Sequence, residues 1–151
     1  MSTAIAQFFL AVVSLVSATL LPAQAERGAL ARGDAGATSL LAYRQAVVDF
    51  LNANPSFAGT VPDSALSFPW GYRRDPRWTN FVQGGGPLYV YEVSPDAVAT
   101  SQVLDQIHRK TLASLTVGRN AGGSLVSANG FATGVAVPAV VPDGAILMLG
   151  R

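Results

Sequence analysis

The most apolar stretch of the chain is its first one, Ala4–Leu21, which reads AIAQFFLAVVSLVSATLL and contains no charged residue. As a helix it would rise about 27 Å, close to the ~30 Å hydrocarbon core of a bilayer. The pattern therefore predicts either a membrane-spanning helix or the apolar part of a secretory signal.

Two fates are open for this N-terminal segment, residues 1–25. Ala23 and Ala25 have the small side chains that signal peptidase requires, which indicates cleavage after Ala25. Against cleavage, no Lys or Arg precedes the apolar run, and the run exceeds the ~7–15 residues of a usual signal core. We favour an uncleaved anchor with the rest of the chain outside the cytoplasm, although Arg27 and Arg32 by count favour the opposite orientation.

The next stretch, residues 26–37, contains three glycines and four charged residues in the sequence ERGALARGDAGA. Because glycine weakens a helix interior by up to about 1 kcal/mol each, we expect a juxtamembrane tether that is either flexible or a frayed helical extension. A soluble domain is then expected over residues 38–151.

The clearest helical pattern lies at Thr38–Asn52. Apolar side chains recur at helical spacing from Leu40 through Tyr43 and Val47 to Leu51, which predicts a helix with one buried face. Thr38 or Ser39 could cap its start, and Pro55 should stop it, since the residue before proline avoids the α region.

Residues 54–87 contain five prolines and five glycines without sustained periodicity, which predicts a long ordered loop with one short helical turn near Asp63–Leu66. Aromatic and cationic side chains interleave in this loop, and these types are enriched at contact hot spots. We take six of them as a candidate partner surface: Trp70, Tyr72, Arg73, Arg74, Arg77 and Trp78. Two alternatives are that the rings fix the loop to the domain, or that they lie in a membrane headgroup layer.

The C-terminal half begins with a predicted strand at residues 88–93 and a helix at Pro95–Lys110. Ser94 would cap this helix, whose expected buried face carries Ala97, Ser101, Leu104 and either Ile107 or His108. Three cations in its last turn complement the helix dipole, which gives His108 a structural explanation.

The remaining residues predict β structure. Residues 112–119 and 124–127 form an expected hairpin, and residues 145–149 a buried strand. Pro138 and Pro142 make residues 131–142 more suitable for an edge or an extended crossing segment. The predicted fold is α+β: an N-terminal transmembrane helix, then two helices on an antiparallel sheet of about four strands.

The composition excludes several kinds of catalytic and metal-binding site. The chain has no cysteine and a single histidine, so thiolate sites, a Cys nucleophile and multi-histidine metal sites are excluded. Its acids fall in turns or at element ends, and no catalytic motif is present, so we expect no enzyme, no cofactor, no metal and no small-molecule substrate. A net charge of +1 argues against nucleic acid, while a charged fraction of 13% indicates that partners cover some surface.

The order of segments is similar to a known family. The informative pieces are Tyr43-Arg44, Asn54-Pro55, the run from Phe57 to Asp63, and Val-Pro-Asp-Gly at residues 141–144. Together they resemble the small PilM family of type IVB (thin, conjugative) pilus systems, which is distinct from the actin-like pilus protein of the same name. The resemblance implies an inner-membrane protein with its domain in the periplasm, acting in the pilin-transport apparatus or the pilus basal body. It implies contacts with other pilus assembly proteins or pilins, and no catalytic residues; a homo-oligomer stays open.

Two rival interpretations remain. A long apolar N-terminal helix followed by an antiparallel sheet also describes a minor pilin-like subunit, although the basic leader ending in glycine and an early acidic residue are missing. Cleavage after Ala25 would instead give a secreted or periplasmic protein of another function, such as an enzyme.

Overall fold

The computed structural model describes residues 24–150 with their side chains, and residues 2–23 only as helical backbone. The predicted membrane segment Ala4–Leu21 and the predicted cleavage residue Ala23 therefore lie outside the described side chains. Among the residues with described side chains, none of the helices has the length and apolar character of a membrane span.

The first element is a single long helix, α1, Ser2–Ala53. The predicted start at Thr38 is wrong, because residues 26–37 are also helical, in agreement with the helical extension that was one of the two alternatives for that stretch. The chain divides into two compact units, Met1–Arg32 and Gly33–Arg151, and the second contains the sheet. As predicted, α1 ends just before Asn54-Pro55, where the Asn54 side chain donates a hydrogen bond of 2.9 Å to the Phe50 carbonyl.

Two glycines of α1 permit close packing rather than flexibility. A Cβ at Gly33 would lie 2.8 Å from the Gln102 carbonyl oxygen, and one at Gly36 would lie 2.7 Å from Val103. Both neighbours belong to the second α-helix, α2, Ala97–Lys110. Gly33 therefore lets α1 approach the α2 backbone closely, and Gly36 leaves room for the Val103 side chain.

The strands are β1 Trp78–Val82, β2 Leu88–Glu92, β3 Val117–Ala121, β4 Ser124–Ser127, β5 Ala132–Ala136 and β6 Ile146–Gly150. A short 3₁₀ turn at Asp63–Ala65 precedes them, where the sequence predicts a helical turn. The strands form one sheet in the order β1-β2-β6-β3-β4-β5, and each neighbouring pair is antiparallel.

The α+β class is confirmed, but the sheet has six strands rather than about four. The missed strand is β1, inside the predicted loop, because its inward-facing residues include the polar Asn80, which interrupts the apolar alternation. β5 lies at the sheet edge within residues 131–142, in agreement with the expectation for that segment. The predicted strand at residues 112–119 is shorter and later, since β3 begins at Val117.

The α2 boundaries also differ from the prediction. Asp96, not Ser94, caps the helix, because its carboxylate accepts hydrogen bonds from the Val98 and Ala99 amides. The buried face carries Thr100, Val103, Leu104 and Ile107, so Leu104 and Ile107 are placed correctly, whereas Ala97 and Ser101 are not buried. The helix therefore begins later than predicted, and the predicted buried face is correct only in its C-terminal half.

Apolar clusters lie on both faces of the sheet. On one face, Leu40, Tyr43 and Val47 of α1 pack with β2, β6 and α2 around Val90 and Ile107. On the other face, the segment after β5 covers the tyrosines of β2, with Val137 and Val141 packed near Tyr89 and Tyr91. Burial on both faces explains why all five residues of β2 are buried.

Candidate contact surface at the Trp70 turn

The most exposed aromatic side chain among the described residues is Trp70, at the tip of a tight turn. We call residues Pro69–Tyr72 the Trp70 turn. The Tyr72 amide donates to the Pro69 carbonyl at 3.0 Å, and Gly71 has a φ of +80°. A positive φ at the third position defines a type II turn, in which Trp70 occupies the second position. Its indole is fully exposed to solvent.

A stack of rings holds this turn against α1. Phe68 stacks on Tyr72 with ring centroids 4.6 Å apart, and on Tyr43 of α1 at 6.2 Å. The Tyr72 hydroxyl also lies 3.3 Å from the Ser39 hydroxyl. Offset stacked rings add about 0.5–1.5 kcal/mol beyond their buried area. Phe68, just before the turn, and Tyr72, the last residue of the turn, are therefore both fixed to the domain.

A buried amide fixes the segment that leads into the turn. The Asn80 side chain of β1 accepts from the Val61 amide at 2.8 Å and donates to the Val61 carbonyl at 3.0 Å. It donates a further bond of 2.8 Å to the Tyr43 hydroxyl. Asn80 and Val61 are both buried, so these bonds satisfy backbone groups that water does not reach.

Arg74 connects the same elements from the outside. Its guanidinium forms an ion pair of 2.8 Å with Asp63 and lies 4.4 Å from the centroid of the Tyr43 ring. It also donates to the Asp75 and Trp78 carbonyls. Burial raises the pKa of Tyr43 above its ordinary value, so the hydroxyl stays protonated and can donate to Asp63, 3.4 Å away. Arg74 therefore holds the loop in place rather than pointing to solvent.

Arg77 and Trp78 are also structural. Arg77 forms an ion pair of 2.7 Å with Asp75 and lies 5.1 Å from the centroid of the Trp78 ring. Burial alone would raise the pKa of Asp75, but the hydrogen bonds from Arg77 hold it below its ordinary value. Trp78 is completely buried, in the cluster between the helices and the sheet. Its inclusion in the partner surface is wrong, because β1 turns the indole toward α1.

The six predicted surface residues therefore divide into two groups. Tyr72, Arg74 and Arg77 are half-buried and engaged within the domain, as is the buried Trp78. Trp70 and Arg73 are exposed, and Arg73 has no ion pair or hydrogen bond to any residue in the described part of the chain. The exposed members of the set are therefore an indole and an unpaired cation three residues further along the chain.

Sequence reasoning missed the residues that hold the turn. Asn80 bonds to the Val61 backbone and the Tyr43 hydroxyl, and Asp63 pairs with Arg74 just after the turn, yet both have types that are common in loops. The available signal was weak: Trp78 and Val82 stand two positions to either side of Asn80, which is the spacing of one strand face, but the polar Asn80 interrupts the apolar pattern.

The described residues show no arrangement typical of catalysis. Glu92 is buried and accepts a hydrogen bond of 2.8 Å from Thr100, and burial raises its pKa. It lies in the core, opposite Trp78 in the β1–β2 pair, so it does not face a cleft. An open cavity of about 370 Å³ beside Gly85 and Gly86 is lined by apolar side chains, glycines and Gln83. Within residues 24–150, no cluster of three or more acidic or histidine side chains could hold a metal ion.

The fold defines the class of protein. It is a small α+β protein with a long N-terminal helix, and its Trp70 turn is held against that helix by stacked rings. Residues 8–149 match the PilM family model. The chain therefore belongs to the PilM family of type IVB pilus proteins.

Two solved structures are similar to the chain. A protein designated PilM from Escherichia coli B7A has a TM-score of 0.58 at 18% identity, over 80% of this chain and 92% of that one. At this identity, the likeness shows the shared fold. A protein designated pilM from Pseudomonas aeruginosa 2192 is 34% identical over 78% of this chain and 93% of that one, with a TM-score of 0.43. A comparison with curated proteins gave no significant match.

Proposed function

We propose that this chain is a non-enzymatic inner-membrane component of type IVB pilus biogenesis, in the pilin-transport apparatus or the pilus basal body. Its N-terminal segment stays in the membrane, and its domain lies in the periplasm. The domain acts by binding other pilus assembly proteins or pilins through Trp70 and Arg73.

The observation that carries this proposal is the fully exposed Trp70 on a fixed turn. Tryptophan and arginine are enriched at binding hot spots, because they bring a large contact area together with a polar group. The stacked rings and the contact of Tyr72 with Ser39 order the turn before binding, which lowers the entropic cost of forming a complex. A pre-ordered and exposed indole is what a protein contact requires.

The pattern of titratable groups supports a non-enzymatic role. Asp63 and Asp75 are paired with arginines of the loop, and Glu92 is buried in the core. A general acid or base has to reach a substrate in a cleft, and these carboxylates are instead engaged in holding the fold.

The test of the partner surface is pilus assembly in a strain that carries Trp70→Ala with Arg73→Ala. We expect piliation to fall at least tenfold, since losing a hot spot costs about 2 kcal/mol or more, equivalent to roughly 30-fold in affinity. The Tm should stay unchanged, because both side chains are exposed. Val140→Ala removes another exposed apolar side chain and serves as the matched control. Normal piliation in the double variant would contradict the proposed contact.

The membrane location is tested separately. Membrane fractionation followed by N-terminal sequencing should recover the chain in the inner membrane with the Ala4–Leu21 segment still attached. A mature protein that begins at Glu26 would show cleavage after Ala25 and would contradict the anchor.

A further inference from the structure

The turn that ends α2 carries an unusual residue at a position that favours glycine. The Ala113 amide donates to the His108 carbonyl at 2.9 Å, and the Leu112 amide donates to the Arg109 carbonyl at 3.4 Å. These paired bonds form a Schellman motif. Its left-handed residues are Leu112, with a φ of 52°, and Ala113, with a φ of 62°. A side chain in this conformation is strained, which is why glycine is preferred there.

The strained residue contributes little buried contact to the fold. Leu112 is 91% exposed, and Leu115, three residues further along the chain, is 62% exposed. Glycine at position 112 would remove the strain and would lose almost no buried contact. A bulky apolar side chain in a strained, solvent-facing position is better explained by binding than by folding.

The charges beside these leucines indicate what covers them. Arg109 and Lys110 stand just before the turn, and residues 106–116 contain no acid. Lys110 forms an ion pair of 2.8 Å with Asp34 of α1. Arg109 is exposed and has no carboxylate within ion-pair distance among the described residues. Leucines with neighbouring cations complement the acyl boundary and the anionic headgroups of a membrane surface.

We propose that Leu112 and Leu115 insert into the headgroup layer of an anionic membrane, with Arg109 at the lipid phosphates. This inference rests on the proposed function, which places the chain at a membrane.

The absence of cysteine allows a direct test with site-specific nitroxide labels on the full chain. The chain is reconstituted in nanodiscs of phosphatidylcholine with phosphatidylglycerol, and the label is placed by Leu112→Cys or Leu115→Cys. The matched control is Val98→Cys, which is 67% exposed near the other end of α2, roughly 18 Å from Lys110. The readout is the ratio of collisions with oxygen to collisions with a water-soluble nickel complex.

We expect an oxygen-to-nickel ratio several-fold higher at positions 112 and 115 than at position 98. Equal ratios at all three positions would overturn the inference and would leave these leucines to a protein contact. Discs without phosphatidylglycerol should lower the ratio at position 112, because Arg109 then has no anionic headgroup to bind. An unchanged ratio in those discs would overturn the role given to Arg109.

A label placed by Val12→Cys separates this inference from the membrane anchor. A buried label at position 12 with an aqueous label at position 112 would overturn the inference alone. An aqueous label at position 12 with position 112 in the headgroup layer would overturn the anchor alone, and aqueous labels at both positions would overturn both.

Leu112→Gly distinguishes binding from folding. We expect this variant to raise the Tm by about 4 °C, because it relieves the left-handed strain. A label at position 115 in the same variant should move toward the aqueous phase. A lower Tm would show that Leu112 packs within the fold, and an unchanged depth at position 115 would show that it does not contact the membrane; either result would contradict the proposal.

Discussion

The polar contacts of Asn80 make it the residue on which the loop around the Trp70 turn depends most. Asn80→Ala would leave the Val61 amide, the Val61 carbonyl and one bond of the Tyr43 hydroxyl without a partner. A buried group that loses its partner costs about 1–3 kcal/mol, and the Tyr43 hydroxyl keeps its contact with Asp63. We therefore expect a loss of about 3 kcal/mol, a large part of the 5–15 kcal/mol typical of a folded domain.

The comparison variant is Tyr43→Phe, which removes the hydrogen bond from Asn80 and the long one of 3.4 Å to Asp63 but keeps the ring that packs against Phe68 and Arg74. It should cost about 1 kcal/mol. Asn129→Ala, at an exposed position in the turn after β4, serves as the control and should cost less than about 0.5 kcal/mol.

The assay is urea unfolding of the full chain in a mild detergent, combined with limited trypsin digestion. Asn80→Ala should lower the free energy of unfolding about three times as much as Tyr43→Phe. It should also speed cleavage after Arg74, because the loop is released from β1. Equal losses for Asn80→Ala and Tyr43→Phe would refute the view that the Asn80 amide holds the loop in place.

Three further predictions concern the packing of the domain. Gly33→Ala should destabilise the domain by about 1–3 kcal/mol, because its Cβ would meet the Gln102 backbone. Gly28→Ala should instead stabilise α1 by up to about 1 kcal/mol. Thermal unfolding in which both variants change the stability in the same direction would contradict this prediction. Burial raises the pKa of Glu92, so the stability that this group contributes is present at acidic pH and is lost as the pH rises through the raised pKa. Glu92→Gln should therefore be more stable than the natural chain at pH 8 but not at pH 4. Urea titrations that show no such difference between the two pH values would refute this prediction. Trp78→Ala should cost about 3–5 kcal/mol, and a chemical denaturation midpoint close to that of the natural chain would contradict its burial.

Local patterns in the sequence were sufficient for the parts of the fold that depend on neighbouring residues. The apolar period of Leu40, Tyr43 and Val47 defines the buried face of α1, and Pro55 marks its end, because both signals act within a few residues. Features that depend on distant contacts could not be predicted in this way. Gly33 is an example, since its role depends on the Gln102 backbone, which is far away in sequence.

The candidate surface shows the same limit. Interleaved rings and arginines indicate a contact surface, but the same residue types can also pin a loop to its own domain. Which of the two holds for each residue depends on partners such as Asp63 for Arg74, and on the strand pairing that buries Trp78. The exposure of Trp70 and Arg73 agrees with the surface interpretation, while their role in binding stays a prediction.

The most direct test of the central claim is photo-cross-linking at position 70 in cells that assemble the pilus. A photoreactive phenylalanine replaces Trp70, and the control carries the same group at Val98, which is also exposed. The proposed function predicts discrete cross-linked products with pilus assembly proteins or pilins from position 70, and their absence from position 98. The absence of protein cross-links from position 70 in piliated cells would contradict a pilus-assembly contact through the Trp70 turn.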